Sequence, residues 1–323
     1  MKSYLWPSLS VLEKHCTEWF NHKYSTTPFI PCVHEPSSYQ ASEEVDVILV
    51  GRLHEEILSF QTWPGDKFRL WSLCSVARKA RILIGQMNET EMGLIPRYEL
   101  FPLTLPARRF PPKKTRWTLV YSGRISSEKG FGTYLRICSE LQELGEEVLP
   151  IIFGILKQGK SEKEKTEMKE FKNLIEHLNW KFKPEIYVGV SSDDWIKTEM
   201  MQPVLFNFST FINEDFGVSA AQAQQAGWPL LLSNWGAHRD IVGANVRKFL
   251  VTDDAFPSAK EILQEMQIDL PLSPAYKEIR GRILNRKELE IKALNLINQG
   301  VTPSKDWPLG VLHKTKLIFS GRE

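Results

Sequence analysis

The chain has 323 residues, enough for two domains of ordinary size that each bury a hydrophobic core. Hydrophobic residues make up 42% of the chain and charged residues 25%, as in globular proteins, and the net charge of +2 excludes a global field that attracts nucleic acid or acidic lipid. Four scattered cysteines without metal-ligand spacing, and apolar runs no longer than a strand, favour a cytoplasmic protein that contacts a membrane only peripherally.

The first part of the chain has a mixed pattern of helices and strands. Residues 10–22 and 66–79 have the apolar spacing of helices, whereas 45–50 and 81–85 are short apolar runs typical of strands. The pattern is α/β, but it contains few strands for a complete domain.

The second part alternates strands and helices more clearly. Residues 127–144 and 161–178 carry apolar side chains at helical spacing, and 217–226 is a helix rich in small residues. The predicted strands are 117–122, 148–153, 185–190, 203–208, 230–233 and 248–251. Such alternation predicts a parallel, doubly wound sheet.

A basic stretch with a Pro-Pro pair, residues 107–115, separates the two parts and is typical of an exposed linker. We therefore expect a first α/β domain at 1–110 and a second, Rossmann-like domain at 111–300. A tail at 301–323, after a predicted helix at 275–299, is expected to pack back on the first domain.

Two cations follow the first strand of the second domain. Gly123 lets the backbone turn, and Arg124 and Lys129 come just before a helix N-terminus. Ligands of open parallel sheets lie beyond the carboxyl ends of the strands. Two cations at that edge suit a diphosphate, because guanidinium offers forked hydrogen bonds and ammonium a point charge. Two solvated surface cations are the alternative interpretation.

A second motif opens the helix of small residues. The amides of Phe216, Gly217 and Val218 belong to the start of this helix, an arrangement that favours anions and hydroxyl oxygens. Glu214 stands just before them, where it can accept hydrogen bonds from sugar hydroxyls or cap the helix.

Together these motifs resemble the family-4 retaining glycosyltransferases, which have the GT-B fold of two Rossmann-like domains. The matching segments are Gly-Arg at 123–124 with Glu-Lys-Gly at 128–130, Glu-Asp-Phe-Gly at 214–217, Gln-Ala-Gly-Trp-Pro at 225–229 and the glycine turn before an acidic residue at 234–240. The resemblance covers about residues 115–250. It implies a GT-B-like α/β fold in which the first domain, 1–110, is the acceptor side and is short or reduced, and the second domain, 111–300, binds the nucleotide sugar.

The resemblance also implies a reaction. A sugar, of the hexosyl type, is transferred from a nucleoside diphosphate donor to a glycan, lipid or small-molecule acceptor, with retention at the anomeric carbon. No cofactor and no metal are expected, and the sequence lacks the metal-binding Asp-x-Asp motif. A protein partner or a peripheral membrane contact is expected to help recognise the acceptor, and no nucleic acid is expected to bind.

Roles follow for the residues of both motifs. Arg124, Lys129 and Glu214 are the candidate catalytic residues, the two cations for the diphosphate and Glu214 for the sugar. Gly123 and the amides of 216–218 are expected to contact the donor.

Four further residues are expected near substrate by resemblance. Tyr187 and Val190 are expected to hold the nucleotide base through backbone groups. Gln222 stands where the family has a glutamate that binds ribose, and we expect it to keep this contact. His34 is a candidate for the family's first-domain histidine that contacts the sugar, although a loop or core histidine is the favoured interpretation.

The first domain departs from the family. Neither the opening strand nor the glycine-rich loop of the family is predicted before Pro28. Together with Gln222, this departure keeps open a non-catalytic GT-B-fold partner subunit.

A competing motif lies at residues 154–161, which fit the phosphate-binding P-loop pattern G-x-x-x-x-G-K-[ST]. It lies between a predicted strand and a predicted helix, as a P-loop requires. An NTPase or kinase is therefore the alternative from another class.

Overall fold

The computed structural model describes residues 2–6, 18, 29–31, 45–50, 68–72, 74–76, 79, 93–94, 97–101, 116–155, 161–189, 195–197, 200–211, 214, 216–243, 245–251 and 256–267. The chain divides into two compact units. The first comprises Met1–Pro102, Ile212–Val218 and Glu278–Glu323, and the second comprises Leu103–Phe211 and Ser219–Lys277. The domain boundaries expected from the sequence stay predictions.

The first unit contains a five-stranded parallel sheet. Its strands are β1 (Lys2–Trp6), β2 (Phe29–Pro31), β3 (Val45–Val50), β4 (Phe68–Ser72) and β5 (Gly93–Leu94). Their order across the sheet is β2-β1-β3-β4-β5, and every neighbouring pair is parallel. A short helix, α1 (Arg97–Leu100), follows β5. The predicted strand at 45–50 is confirmed.

Two expectations for the first unit were wrong. Strand β1 precedes Pro28, where no opening strand was expected, and β4 occupies part of the predicted helix at 66–79. In β4, Phe68 pairs with Val47 and Trp71 with Val50, so this segment, which is rich in residues of high β-propensity, extends the sheet. Pairing between strands depends on tertiary structure, which the apolar spacing within a single segment does not reveal.

Several predicted elements lie outside the described residues. Apart from Glu18, these are the helix at 10–22, the strand at 81–85, the helix at 275–299 and the tail at 301–323.

The second unit contains a six-stranded parallel sheet with helices. The strands are β6 (Trp117–Arg124), β7 (Val148–Ile155), β8 (Glu185–Val188), β9 (Pro203–Asn207), β10 (Leu230–Ser233) and β11 (Val246–Phe249). The helices are α2 (Phe131–Glu143), α3 (Glu162–His177), α4 (Val218–Gln225) and α5 (Ala259–Met266). The predicted strands and helices are confirmed, with β11 beginning two residues earlier than expected.

The strand order in this sheet is β11-β10-β9-β6-β7-β8. Counted in chain order within the unit, and starting from β8, this is the sequence 3-2-1-4-5-6 of the Rossmann fold. The order reverses between β6 and β9. Ligands of such sheets bind beyond the carboxyl ends of the strands at that reversal.

Side chains of β6 alternate between two cores, as the period of a strand requires. Leu119 and Tyr121 belong to a core that includes buried residues of α2, α3 and α5, whereas Val120 belongs to a core with Ala220 and Ala223 of α4. Helices therefore cover both faces of the sheet. The helical stripe predicted on α2 is buried as expected: Phe131, Tyr134, Leu135, Cys138 and Leu141.

None of the helices in the described ranges is long and apolar enough to cross a membrane.

Candidate functional site

The turn that follows β6 begins at the point where the strand order reverses. Arg124 is the last residue of β6, and the hydroxyl of Tyr121 donates a hydrogen bond to its carbonyl oxygen. Gly123 has φ +154°, a conformation that side chains disfavour, so glycine allows this turn. The side chain of Arg124 consequently leaves the backbone at the carboxyl ends of the strands.

Gly130 determines how closely this turn approaches the rest of the site. The 3₁₀ turn Ser127–Lys129 ends at Gly130, whose φ is +69° and whose amide donates to the Ser127 carbonyl at 2.8 Å. A Cβ atom at Gly130 would lie 2.6 Å from the carbonyl oxygen of Phe208. Only glycine therefore permits this close approach between the turn after β6 and the end of β9.

The loop that follows β9 is joined to the turn after β6 by hydrogen bonds. The amide of Thr210 donates to the Glu128 carbonyl oxygen at 2.8 Å. The carbonyl of Ser209 accepts from the hydroxyl of Ser233 at 2.6 Å, and Ser209 itself is fully buried. Ser233 also lies 3.1 Å from Nδ1 of His238. These contacts connect the loops after β6, β9 and β10 into one rigid edge.

Phe211 ends this described loop and brings the two predicted cations together. The guanidinium carbon of Arg124 lies 4.4 Å from the centroid of the Phe211 ring, and Nζ of Lys129 lies 4.7 Å from the same centroid. Both distances are within the range of cation–π interactions. The two charges therefore lie no farther apart than the sum of these distances, about 9 Å.

Gln222 lies on α4 and is buried, with 6% of its surface exposed. Its Oε1 accepts a hydrogen bond from the indole Nε1 of Trp195 at 3.0 Å. Because an indole nitrogen can only donate, the side-chain oxygen of Gln222 is the atom that faces it. Trp195 is a buried residue that the sequence analysis missed, and its rings pack against Phe153 and Trp228.

Tyr187 lies on the exposed edge strand β8. Its ring stacks on Phe153 with centroids 5.3 Å apart, and its hydroxyl donates to Glu185 at 3.0 Å, a bond that raises the pKa of Tyr187. Next to it, Val188 pairs with Gly154, which in turn pairs with Gly123. The ends of β6, β7 and β8 therefore lie in one row. Val190 and His34 lie outside the described residues.

The second motif occupies the segment Ile212–Val218, which belongs to the first unit. Glu214 is buried, with 5% of its surface exposed, and the ring of Phe216 lies 5.3 Å from that of Phe101. Gly217 has φ +67°, and Val218 begins α4. The donor-binding roles of these residues stay predictions.

Within the described ranges, no group of three or more His, Cys, Asp or Glu side chains is arranged to hold a metal ion.

The family model of glycosyl transferases group 1 matches residues 107–269, half of the 323 residues. The chain belongs to this glycosyltransferase family. The matched range contains both motifs and the whole Rossmann-like sheet, so the resemblance of the second half of the chain to GT-B glycosyltransferases is confirmed.

Solved structures show the same fold. The α,α-trehalose-phosphate synthase (UDP-forming) from Burkholderia xenovorans is 11% identical, with a TM-score of 0.52 over 79% of this chain and 68% of that chain. WaaG, a glycosyltransferase involved in lipopolysaccharide biosynthesis, is 11% identical, with a TM-score of 0.51 over 99% of this chain and 100% of that chain. The predicted GT-B-like α/β fold is confirmed. A search of curated proteins found no match.

The P-loop pattern has a structural explanation in this glycosyltransferase. Gly154 lies within β7, and the Cδ1 atom of Ile125 fills the space where a Cβ would be, 2.6 Å away. Ser161 caps α3 by accepting a hydrogen bond from the amide of Glu164 at 3.2 Å. Both residues therefore serve packing and capping. Residues 156–160 lie outside the described ranges.

Replacement of Lys160 tests the P-loop alternative directly. We expect Lys160→Ala to leave nucleoside-diphosphate binding unchanged, because the cations expected to hold the diphosphate, Arg124 and Lys129, lie at the end of β6 and in the turn that follows it. Lys169→Ala, which removes an exposed lysine of α3, is the matched control. Calorimetric titration and an ATPase assay give the two readouts. A magnesium-dependent ATP hydrolysis that disappears only in Lys160→Ala would establish a P-loop enzyme.

Proposed function

We propose that this glycosyltransferase transfers a sugar from a nucleoside diphosphate donor with retention at the anomeric carbon and without a metal ion. One observation supports the proposal above the others: Arg124 and Lys129 lie over the same ring at the reversal point of the sheet. That point is where a Rossmann-like sheet binds phosphorylated ligands.

The chemistry required of the two cations is stabilisation of the leaving group. As the bond between the anomeric carbon and the diphosphate oxygen breaks, negative charge grows on the diphosphate. Cations placed before the reaction stabilise that charge more in the transition state than in the ground state, which is the condition for catalysis. Arg124 supplies forked hydrogen bonds to phosphate oxygens and Lys129 supplies a compact charge.

The separation of the cations suits this role. After about 2.8 Å is allowed at each side for a charge-assisted hydrogen bond, the space left within the upper limit of about 9 Å is on the scale of one diphosphate group. The two cations are therefore within reach of a single diphosphate group.

The remaining donor contacts follow the sequence motifs. Glu214 and the amides of 216–218 are proposed to hold the transferred sugar. Gln222 is proposed to contact the ribose, and Tyr187 with Val190 the base. His34 is proposed to contact the sugar. The acceptor is a glycan, a lipid or a small molecule.

A binding screen tests the donor site. UDP is the first probe, because the trehalose-phosphate synthase of similar fold is described as UDP-forming. GDP and ADP complete the panel, each titrated with and without EDTA. Binding of one diphosphate that EDTA does not weaken supports the proposal. No binding of any diphosphate would sink it, and loss of binding with EDTA would refute metal independence. Anomeric configuration of the transfer product, read by NMR, tests retention.

Gln222 favours a second candidate, a GT-B-fold subunit without catalysis, because its oxygen is already hydrogen-bonded to Trp195 where the family places a carboxylate. A carboxylate there has two oxygens, one for the indole and one for a ribose hydroxyl. The amide of Gln222 meets the ribose without the strengthening effect of charge.

We therefore expect Gln222→Glu to tighten nucleoside-diphosphate binding by about 1 kcal/mol and Gln222→Ala to weaken it by a similar amount. Gln222→Ala also leaves the buried indole N–H of Trp195 without its acceptor, which is expected to lower the free energy of unfolding by about 1–3 kcal/mol. Calorimetric titration and denaturant unfolding measure the two effects.

Trp195→Phe is the control that separates the effect on nucleotide binding from the effect on stability, since it removes the indole donor and leaves Gln222 in place. It is expected to lower stability and to keep most of the nucleotide affinity. If the unsubstituted chain and both Gln222 variants stay folded and bind no diphosphate, the non-catalytic subunit is the better description. Equal affinity in all three would place the ribose elsewhere.

A further inference from the structure

Phe211 has no assigned role in either sequence motif, yet it is the side chain that both cations share. Arg124 comes from the end of β6 and Lys129 from the 3₁₀ turn beyond it, whereas Phe211 comes from the loop after β9. The contacts at 4.4 and 4.7 Å therefore join the two loops that flank the reversal point.

The backbone of Phe211 is held on both sides. Its amide donates to the hydroxyl of Ser209 at 3.2 Å, and its carbonyl accepts from the indole Nε1 of Trp235 at 2.9 Å. Ser209 is in turn fixed by Ser233. The Phe211 ring is therefore attached to a constrained backbone, and the flexible side chains of Arg124 and Lys129 pack against it.

We infer that Phe211 is a positioning residue of the donor site, which holds Arg124 and Lys129 ready for the diphosphate of a nucleoside diphosphate sugar. This inference rests on the proposed function. An aromatic face attracts cations through its quadrupole and carries no net charge. A carboxylate in the same place would also gather the cations, but it would neutralise them and compete with the diphosphate. The ring keeps their charge available.

The expected benefit is pre-organisation. Free Lys and Arg side chains each lose rotamer entropy when they bind a ligand. The ring also offsets the repulsion between two like charges held close together. Both effects lower the cost of placing the cations where the diphosphate binds.

The test compares Phe211→Leu with Phe211→Trp. Leucine keeps an apolar side chain but removes the aromatic face, whereas tryptophan offers the best cation–π surface. The probes are the diphosphate selected from UDP, GDP and ADP and the corresponding free nucleoside. We expect Phe211→Leu to weaken diphosphate binding about tenfold, equivalent to about 1.4 kcal/mol. Phe211→Trp is expected to stay within about threefold of the unsubstituted chain, and nucleoside binding is expected to change in neither variant.

The same unit offers a matched control. The Phe182 ring lies 4.5 Å from the Arg116 guanidinium and 5.5 Å from Nζ of Lys181, a comparable pair of cations that lies away from the carboxyl edge of the sheet. Phe182→Leu is expected to leave diphosphate affinity unchanged, so it shows what loss of a cation–π pair does by itself.

The outcomes separate the inference from the proposed function. If Arg124→Ala and Lys129→Ala weaken diphosphate binding but Phe211→Leu does not, the donor site stands and Phe211 has no positioning role. Equal losses in Phe211→Leu and Phe211→Trp, or a parallel loss of nucleoside binding, would also overturn it, because the ring would then act through shape alone. If the unsubstituted chain binds no diphosphate, the proposed function itself fails.

Discussion

Replacement of Arg124 or Lys129 by alanine is expected to weaken nucleoside-diphosphate binding by about 1.5–3 kcal/mol in each case, the range for hydrogen bonds to charged groups. Both side chains lie over Phe211 at the reversal of the strand order, so each loss removes one of two charges that are proposed to face the same ligand. The affinity of Arg124→Lys is expected to lie between those of the unsubstituted chain and Arg124→Ala. Lysine keeps the positive charge but cannot form the forked pair of hydrogen bonds of a guanidinium.

In a transfer assay these variants are expected to lose kcat as well as affinity, since the charge on the diphosphate grows as the bond breaks. Arg136→Ala on α2 and Lys172→Ala on α3 are matched controls that remove an exposed cation of the same kind from the same unit. Calorimetry gives the affinities. Unchanged affinity in both Arg124→Ala and Lys129→Ala would rule out the site.

The second large effect is expected from Gly130→Ala, which acts on stability. A φ of +69° costs a residue with a side chain about 1–2 kcal/mol, and the new Cβ would meet the Phe208 carbonyl oxygen at 2.6 Å. Relief of that clash requires a backbone shift of the kind that costs about 1–3 kcal/mol in packed sites. We expect a total loss of about 2–5 kcal/mol in the free energy of unfolding.

Gly145→Ala is the matched control for this change. Gly145 has φ +90°, but no atom lies within 4 Å of its Cβ position, so this variant shows the conformational cost without the clash. Denaturant unfolding of both variants gives the difference. A loss in Gly130→Ala no greater than in Gly145→Ala would show that the approach to Phe208 contributes nothing to stability.

The sequence predicted the second unit well because its signals are local. Buried parallel strands such as β7 are continuous apolar runs, and the stripe on α2 repeats at helical spacing. The positions of Arg124 and Lys129 follow from the same logic, since the end of a strand and the start of a helix are both readable.

What the sequence missed depends on contacts between distant segments. Phe211 approaches the cations only because β9 pairs with β6, and an aromatic residue just after a strand at the reversal point was the available signal. Trp195 was missed for the same reason, because its partner Gln222 lies on another element. The prediction of a helix at 66–79 failed where pairing of β4 with β3 determined the backbone conformation.

The position of β6 between β7 and β9 also has a consequence for folding. Its pairing with β7 joins segments close in the chain, whereas its pairing with β9 closes a long loop that contains β7, α3 and β8. Loop closure delays such non-local contacts. A nascent chain in which β9 and Phe211 have not yet been synthesised therefore contains Arg124 and Lys129 but lacks the aromatic ring that they contact. We therefore expect that diphosphate added during refolding would stabilise only chains in which β6 has already paired with β9.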